Sequence, residues 1–172
     1  ALEKIMDQYP TLKLVLAPHE PTGEHIRELE EWCAVRQFPL THYSQLNDSG
    51  ASSRVVLLDS VGKLAELYQD GDIAFVGGGF RGSVHSVMEP AAARCVVTFG
   101  PDYHNSNEAE LLVEAGGGFV VRNTDDFSEI LQKLLSDSAA LTKSRRIARE
   151  IIENNAGATR KTVSRILNSA GA

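Results

Sequence analysis

Residues 72–82 read Asp-Ile-Ala-Phe-Val-Gly-Gly-Gly-Phe-Arg-Gly and indicate the class of fold. Four apolar residues, 73–76, run directly into a glycine-rich turn. A short apolar run that ends at glycines is typical of a strand covered on both faces of a parallel sheet. Comparable apolar runs and the more polar segment 40–43 complete the set of predicted strands, which lie near residues 12–17, 40–43, 55–58, 73–76, 96–99 and 119–121.

The segments between these runs have the period of amphipathic helices. One predicted helix places Ile26, Leu29, Trp32 and Cys33 on one face, and Thr22 stands before it as a cap. A second predicted helix covers residues 61–68 and starts after Asp59-Ser60. Three more are predicted at about 88–93, 106–114 and 125–135. Two carboxyl-terminal helices, 138–155 and 158–170, are predicted to be divided at Gly157. Alternating strands and helices predict an α/β fold: a Rossmann-like parallel sheet of five or six strands with helices on both faces, in one domain over residues 1–172.

The composition excludes several classes of protein. The chain has 172 residues, 42% of them hydrophobic, and its apolar runs are far shorter than the roughly 20 residues that cross a bilayer. The net charge of −6 argues against wholesale nucleic-acid binding, although residues 136–172 carry seven Lys or Arg against three acids. Two cysteines, Cys33 and Cys95, are too few for a disulfide framework or a zinc site, and both are predicted to be buried thiols.

Ligands of open α/β sheets bind at the carboxyl ends of the strands, so the turns that follow the strands are the candidate sites. The turn after residue 76 has four glycines within residues 77–82, which permit positive φ and close approach of a ligand to backbone N–H groups. The helix that follows favours an anion at its amino end. The spacing matches neither GxGxxG nor a P-loop, so a phosphate site and a merely tight turn both stay open.

Three side chains near this turn are candidates for ligand contact. Glu89 precedes Pro90 at the start of a helix, where it can accept hydrogen bonds from two hydroxyls or simply be a first-turn acid favoured by the helix dipole. His85 can donate to a phosphate or carboxylate, or be a structural hydrogen-bonder. Arg81 is either an anion partner or a solvated loop residue.

Two further turns offer acid–base or metal pairs. His19 stands beside Glu20 after the first strand, and Asp102 lies close to His104 after the fifth. No third ligand has convincing spacing, so no metal site is expected. No nucleophile motif is present either.

Taken in order, these turns resemble a known family. Residues 56–68 (Val-Leu-Leu-Asp-Ser-Val-Gly-Lys-Leu-Ala-Glu-Leu-Tyr) and 72–78 resemble the carboxyl-terminal half of GT-B glycosyltransferases. More narrowly, residues 85–91 (His-Ser-Val-Met-Glu-Pro-Ala), followed by Phe-Gly-Pro at 99–101 and by Asn105, are similar to the 3-deoxy-D-manno-octulosonic acid (Kdo) transferases of lipopolysaccharide synthesis.

The turn Ala-Pro-His-Glu-Pro at 17–21 is similar to a turn of the same family, and the resemblance extends over about residues 10–135. It implies a two-domain enzyme that moves Kdo from CMP-Kdo to a lipid A precursor, with the carboxyl-terminal domain holding the donor. Glu89 matches the glutamate that grips the ribose hydroxyls, and His85-Ser86 matches a His-Asn pair. The full set of implied donor-binding residues is Gly77, Gly78, Gly79, Arg81, His85, Ser86, Glu89, Asn105 and His19.

The chain departs from the family in two ways. Residues 83–90 read Ser-Val-His-Ser-Val-Met-Glu-Pro, where the common pattern is Gly-Gly-His-Asn-Pro-Leu-Glu-Pro. The acceptor domain, the catalytic base, the membrane-anchoring segment and a first strand have no counterpart. The resemblance therefore implies a soluble donor-binding fragment that is inactive alone and needs no cofactor or metal, from a parent at the cytoplasmic face of the bacterial inner membrane.

Two alternatives remain. One is another GT-B enzyme that uses a UDP-sugar; Arg81 counts against it, because many retaining members carry a second glutamate eight positions before the one matched by Glu89. The other is a non-catalytic nucleotide-binding or interaction domain, in which the glycine turn is structural and the basic tail binds a partner.

Overall fold

The computed structural model describes residues 2–46 and 53–169, and the side chains as far as residue 155. It contains all six predicted strands: β1 Leu14–Leu16, β2 Leu40–His42, β3 Val55–Leu57, β4 Ile73–Val76, β5 Val96–Phe99 and β6 Gly118–Val120. The helices are α1 Leu2–Gln8, α2 Gly23–Val35, α3 Leu64–Leu67, α4 Met88–Ala92, α5 Asn107–Ala115, α6 Thr124–Ser136 and α7 Ser138–Ser169.

The six strands form two parallel sheets rather than one. The order is β1-β3-β2 in the first sheet and β4-β5-β6 in the second. The chain correspondingly divides into two compact units, residues 1–67 and 68–172. The α/β class and the parallel pairing are confirmed, but the single sheet of five or six strands is wrong, because apolar runs indicate which segments are buried and not which strands pair. The single domain over residues 1–172 stays a prediction.

In the first unit, strand β3 lies at the centre and is buried. Thr22 caps α2 as predicted, since its Oγ1 accepts a hydrogen bond from the His25 N–H at 3.3 Å. The predicted helix after Asp59-Ser60 begins later, at Leu64, and Val61 is 82% exposed. The reason is Gly62, whose φ of +82° is incompatible with a right-handed helix.

In the second unit, β5 is completely buried at the centre of the sheet. Helices α4, α5 and α7 pack against this sheet around a core formed by Val76, Val84, Val87, Ala91, Val97, Phe99, Ala109, Leu112, Ala148 and Ile152. Val84 and Val87 belong to the segment between β4 and α4, so that segment is anchored in the core at two points.

The carboxyl-terminal segment is one helix and not two. Helix α7 runs through Gly157 without a break. An interior glycine costs only about 1 kcal/mol relative to alanine, and its neighbours Ala156 and Ala158 are the strongest helix formers. No helix among the described residues is both long and apolar enough to span a membrane.

Both cysteines are buried thiols, as predicted, with Cys33 at 1% and Cys95 at 0% exposure. Burial raises the pKa of the Cys95 thiol to about 11. The Cys95 Sγ donates to the carbonyl oxygens of Tyr68 at 3.3 Å and Gly71 at 3.5 Å.

Candidate functional site

The turn that follows β4 is a compact loop, residues 77–87, which we name the glycine loop. The Arg81 N–H donates to the Gly78 carbonyl oxygen at 2.8 Å, and the His85 N–H donates to the Gly77 carbonyl oxygen at 3.0 Å. Gly78 and Gly82 have φ values of +90° and +94°, which side-chain-bearing residues rarely adopt. The predicted glycine-rich turn therefore has the left-handed geometry that its composition permits.

Close backbone packing explains two further features of the loop. A Cβ atom on Gly79 would lie 2.8 Å from the Gly100 N, and a Cβ on Gly100 would overlap the Gly79 carbonyl. A Cβ on Gly78 would lie 2.7 Å from the His85 Cδ2 and would overlap the Ser83 carbonyl oxygen. The loop is thus packed directly against the backbone that follows β5, and the His85 ring lies against the Gly78 backbone.

Four hydrogen bonds join the glycine loop to residues 100–106, which we name the β5 turn. The Asp102 N–H donates to the Gly79 carbonyl oxygen at 2.8 Å, and the Asp102 Oδ2 accepts from the Gly82 N–H at 3.0 Å. The Asn105 Oδ1 accepts from the Val84 N–H at 2.9 Å, while its Nδ2 donates to the Val84 carbonyl oxygen at 3.1 Å. The Asn105 side chain therefore bonds both backbone polar groups of Val84, as the backbone of a neighbouring strand would do.

Three residues of the glycine loop that are predicted to contact the ligand, Arg81, His85 and Ser86, lie close in sequence to its buried residues Val84 and Val87. Val84 is 5% exposed and Val87 is 1% exposed, whereas His85 and Ser86 between them are exposed. Arg81 is also exposed. The structure therefore presents these three polar side chains to solvent on one short segment.

Helix α4 starts directly after this segment. Its first-turn acid, Glu89, is exposed, and Val87 at the cap position supplies no side-chain hydrogen bond to the helix. The first-turn N–H groups thus receive no side-chain acceptor from the cap, and an exposed carboxylate lies beside them.

Tyr68 is a neighbour of Glu89 that was missed in the sequence analysis. Burial raises the pKa of the Tyr68 phenol, and the negative charges of Cys95 and Glu89 add to the effect. No local motif marked Tyr68, because its proximity to Glu89 arises from contacts between α4 and the 3-10 turn at Tyr68–Asp70.

Eight of the nine predicted site residues lie in the second unit, on the glycine loop, the start of α4 and the β5 turn. The ninth, His19, follows β1 in the first unit. It borders a cavity of about 300 Å³ lined by Leu16, Ala17, Pro18, His19, His25, Glu28 and Leu29. Its membership in the same site stays a prediction.

The acid–base pair considered after β5 has other partners. Asp102 accepts from the Gly82 N–H, whereas the His104 Nδ1 lies 2.6 Å from the Glu110 Oε1 and its ring stacks on Tyr103 at 4.4 Å. Within residues 2–46 and 53–169, no group of three or more His, Cys, Asp or Glu could hold a metal ion.

Several known proteins are similar to this chain. The 3-deoxy-D-manno-octulosonic acid transferase of Aquifex aeolicus is 33% identical over 138 residues, which is 79% of this chain and 37% of that protein. The enzyme of the same name from Rickettsia felis is 25% identical over 157 residues, covering 90% of this chain and 33% of that protein. The chain thus spans about a third of the length of these curated relatives. No protein-family model matches the chain.

A solved structure supports the fold assignment. The carboxyl-terminal CMP-Kdo binding domain of WaaA from Acinetobacter baumannii superposes with a TM-score of 0.76 at 22% identity, covering 88% of this chain and 79% of that domain. The predicted fold class, that of the carboxyl-terminal half of GT-B glycosyltransferases, is confirmed. The family resemblance is confirmed as well: the chain is a homologue of the 3-deoxy-D-manno-octulosonic acid transferases.

Proposed function

We propose that this chain is the donor-binding part of a glycosyltransferase that moves Kdo from CMP-Kdo to a lipid A precursor in lipopolysaccharide synthesis. The observation that carries the proposal is the juxtaposition of the glycine loop with the exposed Glu89 carboxylate at the start of α4. A loop of backbone N–H donors suits a phosphate, and a carboxylate suits a pair of hydroxyls. A nucleotide joined to a sugar carries both groups.

Each part of the site has a separate role in this proposal. The phosphate is bound by the amino end of α4 and by N–H groups of the glycine loop other than those of Arg81, Gly82, Val84 and His85, which already donate within the protein. The side chain of Arg81 or His85 is a further donor. Glu89 accepts hydrogen bonds from the ribose hydroxyls. When an acceptor hydroxyl attacks the anomeric carbon of Kdo, CMP leaves as an anion, and the same donors stabilise the developing charge.

The acceptor and the location of the whole enzyme are also part of the proposal. Since the chain spans only 37% and 33% of the length of these relatives, we assign the binding of the lipid A precursor and the general base to polypeptide outside residues 1–172. We propose that the whole enzyme works at the cytoplasmic face of the inner membrane.

Helix α7 is a weak candidate for that membrane contact. Three of its arginines are ion-paired: Arg145 with Asp72 at 2.6 Å, and Arg146 and Arg149 each with a glutamate four residues later. Paired cations attract an anionic surface less than free ones do, because each partner cancels most of the charge. We therefore do not assign membrane attachment to these three arginines, and the side chains of Arg160, Lys161 and Arg165 lie outside the described residues.

Calorimetric titration of the chain with CMP, UDP and ADP tests the donor assignment, and we expect CMP to bind most tightly. In Glu89→Gln, which keeps the size of the side chain and removes its charge, CMP binding should weaken by about 2 kcal/mol, roughly thirtyfold, because charge-assisted hydrogen bonds are lost. The matched control is Asp125→Asn, another exposed first-turn acid, on α6.

The control should leave the affinity for CMP unchanged. Equal loss in both variants would reduce the role of Glu89 to a general charge effect. A preference for UDP over CMP would favour a UDP-sugar enzyme, and the absence of binding to any of the three nucleotides would contradict the proposal.

A further inference from the structure

We propose that Asp102 and Asn105 are positioning residues, which hold the glycine loop in its nucleotide-binding shape without touching the nucleotide. The inference rests on the proposed function, because it requires that the glycine loop binds a nucleotide. It gives Asn105 a role different from the direct ligand contact that the family resemblance implies. It is carried by the four hydrogen bonds between the glycine loop and the β5 turn.

The β5 turn is anchored and can act as the fixed partner. The Tyr103 ring packs on the buried Phe99 at 5.3 Å between ring centroids. The Ser106 N–H donates to the Tyr103 carbonyl oxygen at 3.0 Å, and the Ser106 Oγ caps α5 by accepting from the Ala109 N–H at 3.2 Å. The turn is thus fixed by the core on one side and by α5 on the other.

Between Gly79, which packs on the Gly100 backbone, and Val84, the glycine loop has few anchors of its own. Residues 80–83 are exposed, and a Cβ on Gly82 would meet nothing within 4 Å. Glycines lose more conformational freedom on ordering than other residues do, so an untethered loop of this composition would sample many shapes. Binding would then include the cost of ordering the loop, and tethering it beforehand removes that cost.

The chemistry of the two side chains fits a tether. The Asn105 carboxamide both accepts from the Val84 N–H and donates to the Val84 carbonyl oxygen, which a carboxylate cannot do. The Asp102 carboxylate accepts from the Gly82 N–H, two residues earlier in the loop. The two side chains therefore hold the loop on both sides of Ser83.

Hydrogen exchange of the unliganded chain tests the tether directly. We expect Asn105→Ala and Asp102→Ala to accelerate exchange of the Gly82 and Val84 amides, while exchange in β5 stays unchanged. Asn105→Asp keeps the acceptor and loses the donor, so it should show a smaller acceleration than Asn105→Ala. The matched control is Asn123→Ala, which removes an asparagine that caps α6 through the Asp125 and Asp126 N–H groups.

Titration with CMP is the second measurement. Each alanine variant should weaken CMP binding by roughly tenfold, which corresponds to the net contribution of one or two hydrogen bonds. Because both substitutions release the same loop, the double variant should lose less than the product of the two single losses. Asn123→Ala should change neither loop exchange nor affinity.

The outcomes separate the two proposals. If wild-type chain does not bind CMP, the proposed function fails, and the positioning role fails with it. If wild-type chain binds CMP but the variants exchange faster without loss of affinity, only the positioning role is overturned. Affinity lost without faster loop exchange would make Asn105 or Asp102 a direct ligand contact and would also overturn the inference.

Discussion

Gly79→Ala should destabilise the second unit, whereas Gly77→Ala should not. A Cβ on Gly79 would lie 2.8 Å from the Gly100 N and 3.0 Å from its Cα and O, and all three are backbone atoms that cannot rotate away. A Cβ on Gly77 would meet only the His85 Nδ1, at 3.9 Å, which is ordinary van der Waals contact. The two glycines are two residues apart and neither has positive φ, so the comparison isolates the packing effect.

The expected magnitude follows from two opposing effects. Overpacking a tight contact costs about 1–3 kcal/mol, and replacing glycine by alanine returns about 0.4–1 kcal/mol by restricting the unfolded chain. Gly79→Ala should therefore lose about 1.3 kcal/mol at the middle of these ranges, and Gly77→Ala should gain up to about 1 kcal/mol.

Native-state hydrogen exchange of the β5 amides measures this difference, because these buried amides exchange by opening of the unit. Gly79→Ala should exchange faster by roughly tenfold, since about 1.4 kcal/mol corresponds to a factor of ten. Exchange rates that are equal in the Gly77 and Gly79 variants would refute the argument that the glycine loop packs directly on the Gly100 backbone.

Three further predictions concern other parts of the chain. Desolvation alone would raise the pKa of Asp59, but hydrogen bonds from Ser44 and His42 hold the pKa below its usual range. The ionised Asp59 therefore stabilises the fold at pH values above its unfolded pKa of about 3.9, and this contribution is lost as the pH falls through the lower pKa of the folded state. Asp59→Asn should lower the free energy of unfolding measured in urea at pH 7 and change it little at pH 2. Arg145→Lys should lower stability by about 1 kcal/mol in urea unfolding, because lysine cannot make the forked contacts to Asp72 and the Arg94 carbonyl; an unchanged midpoint would contradict this. Cys95 should resist iodoacetamide at pH 8 in the folded chain and react on denaturation, because burial raises its pKa to about 11; rapid labelling of native protein would contradict this.

The sequence was sufficient for the parts of the fold that local patterns encode. Apolar runs marked every strand except β2, whose sequence is Leu-Thr-His, because the strands of a parallel sheet are rich in apolar side chains. The glycines after β4 and the Glu89 carboxylate marked the candidate site, because parallel strands bring the turns that follow them to one edge of the sheet. The residues matched to the family led from this site to the proposed activity and the proposed donor.

Local patterns failed where the outcome depended on a single backbone angle or on a balance of small energies. The φ of Gly62 delays the start of α3, and nothing in the pattern of residues 59–68 indicates it. Gly157 was predicted to break α7, but the cost of one interior glycine is smaller than the stability of the helix around it.

Contacts between residues that are far apart in the sequence depend on the tertiary structure. Backbone pairing divides the six strands into two sheets, and hydrophobicity carries no information about the partner of a given strand. Asn105 lies 21 residues from Val84 and matches its backbone only because the turns after β4 and β5 leave the sheet side by side. The same adjacency brings Gly79 against Gly100 and explains why both positions are glycine, since neither sequence neighbourhood shows that another backbone occupies the space of a side chain.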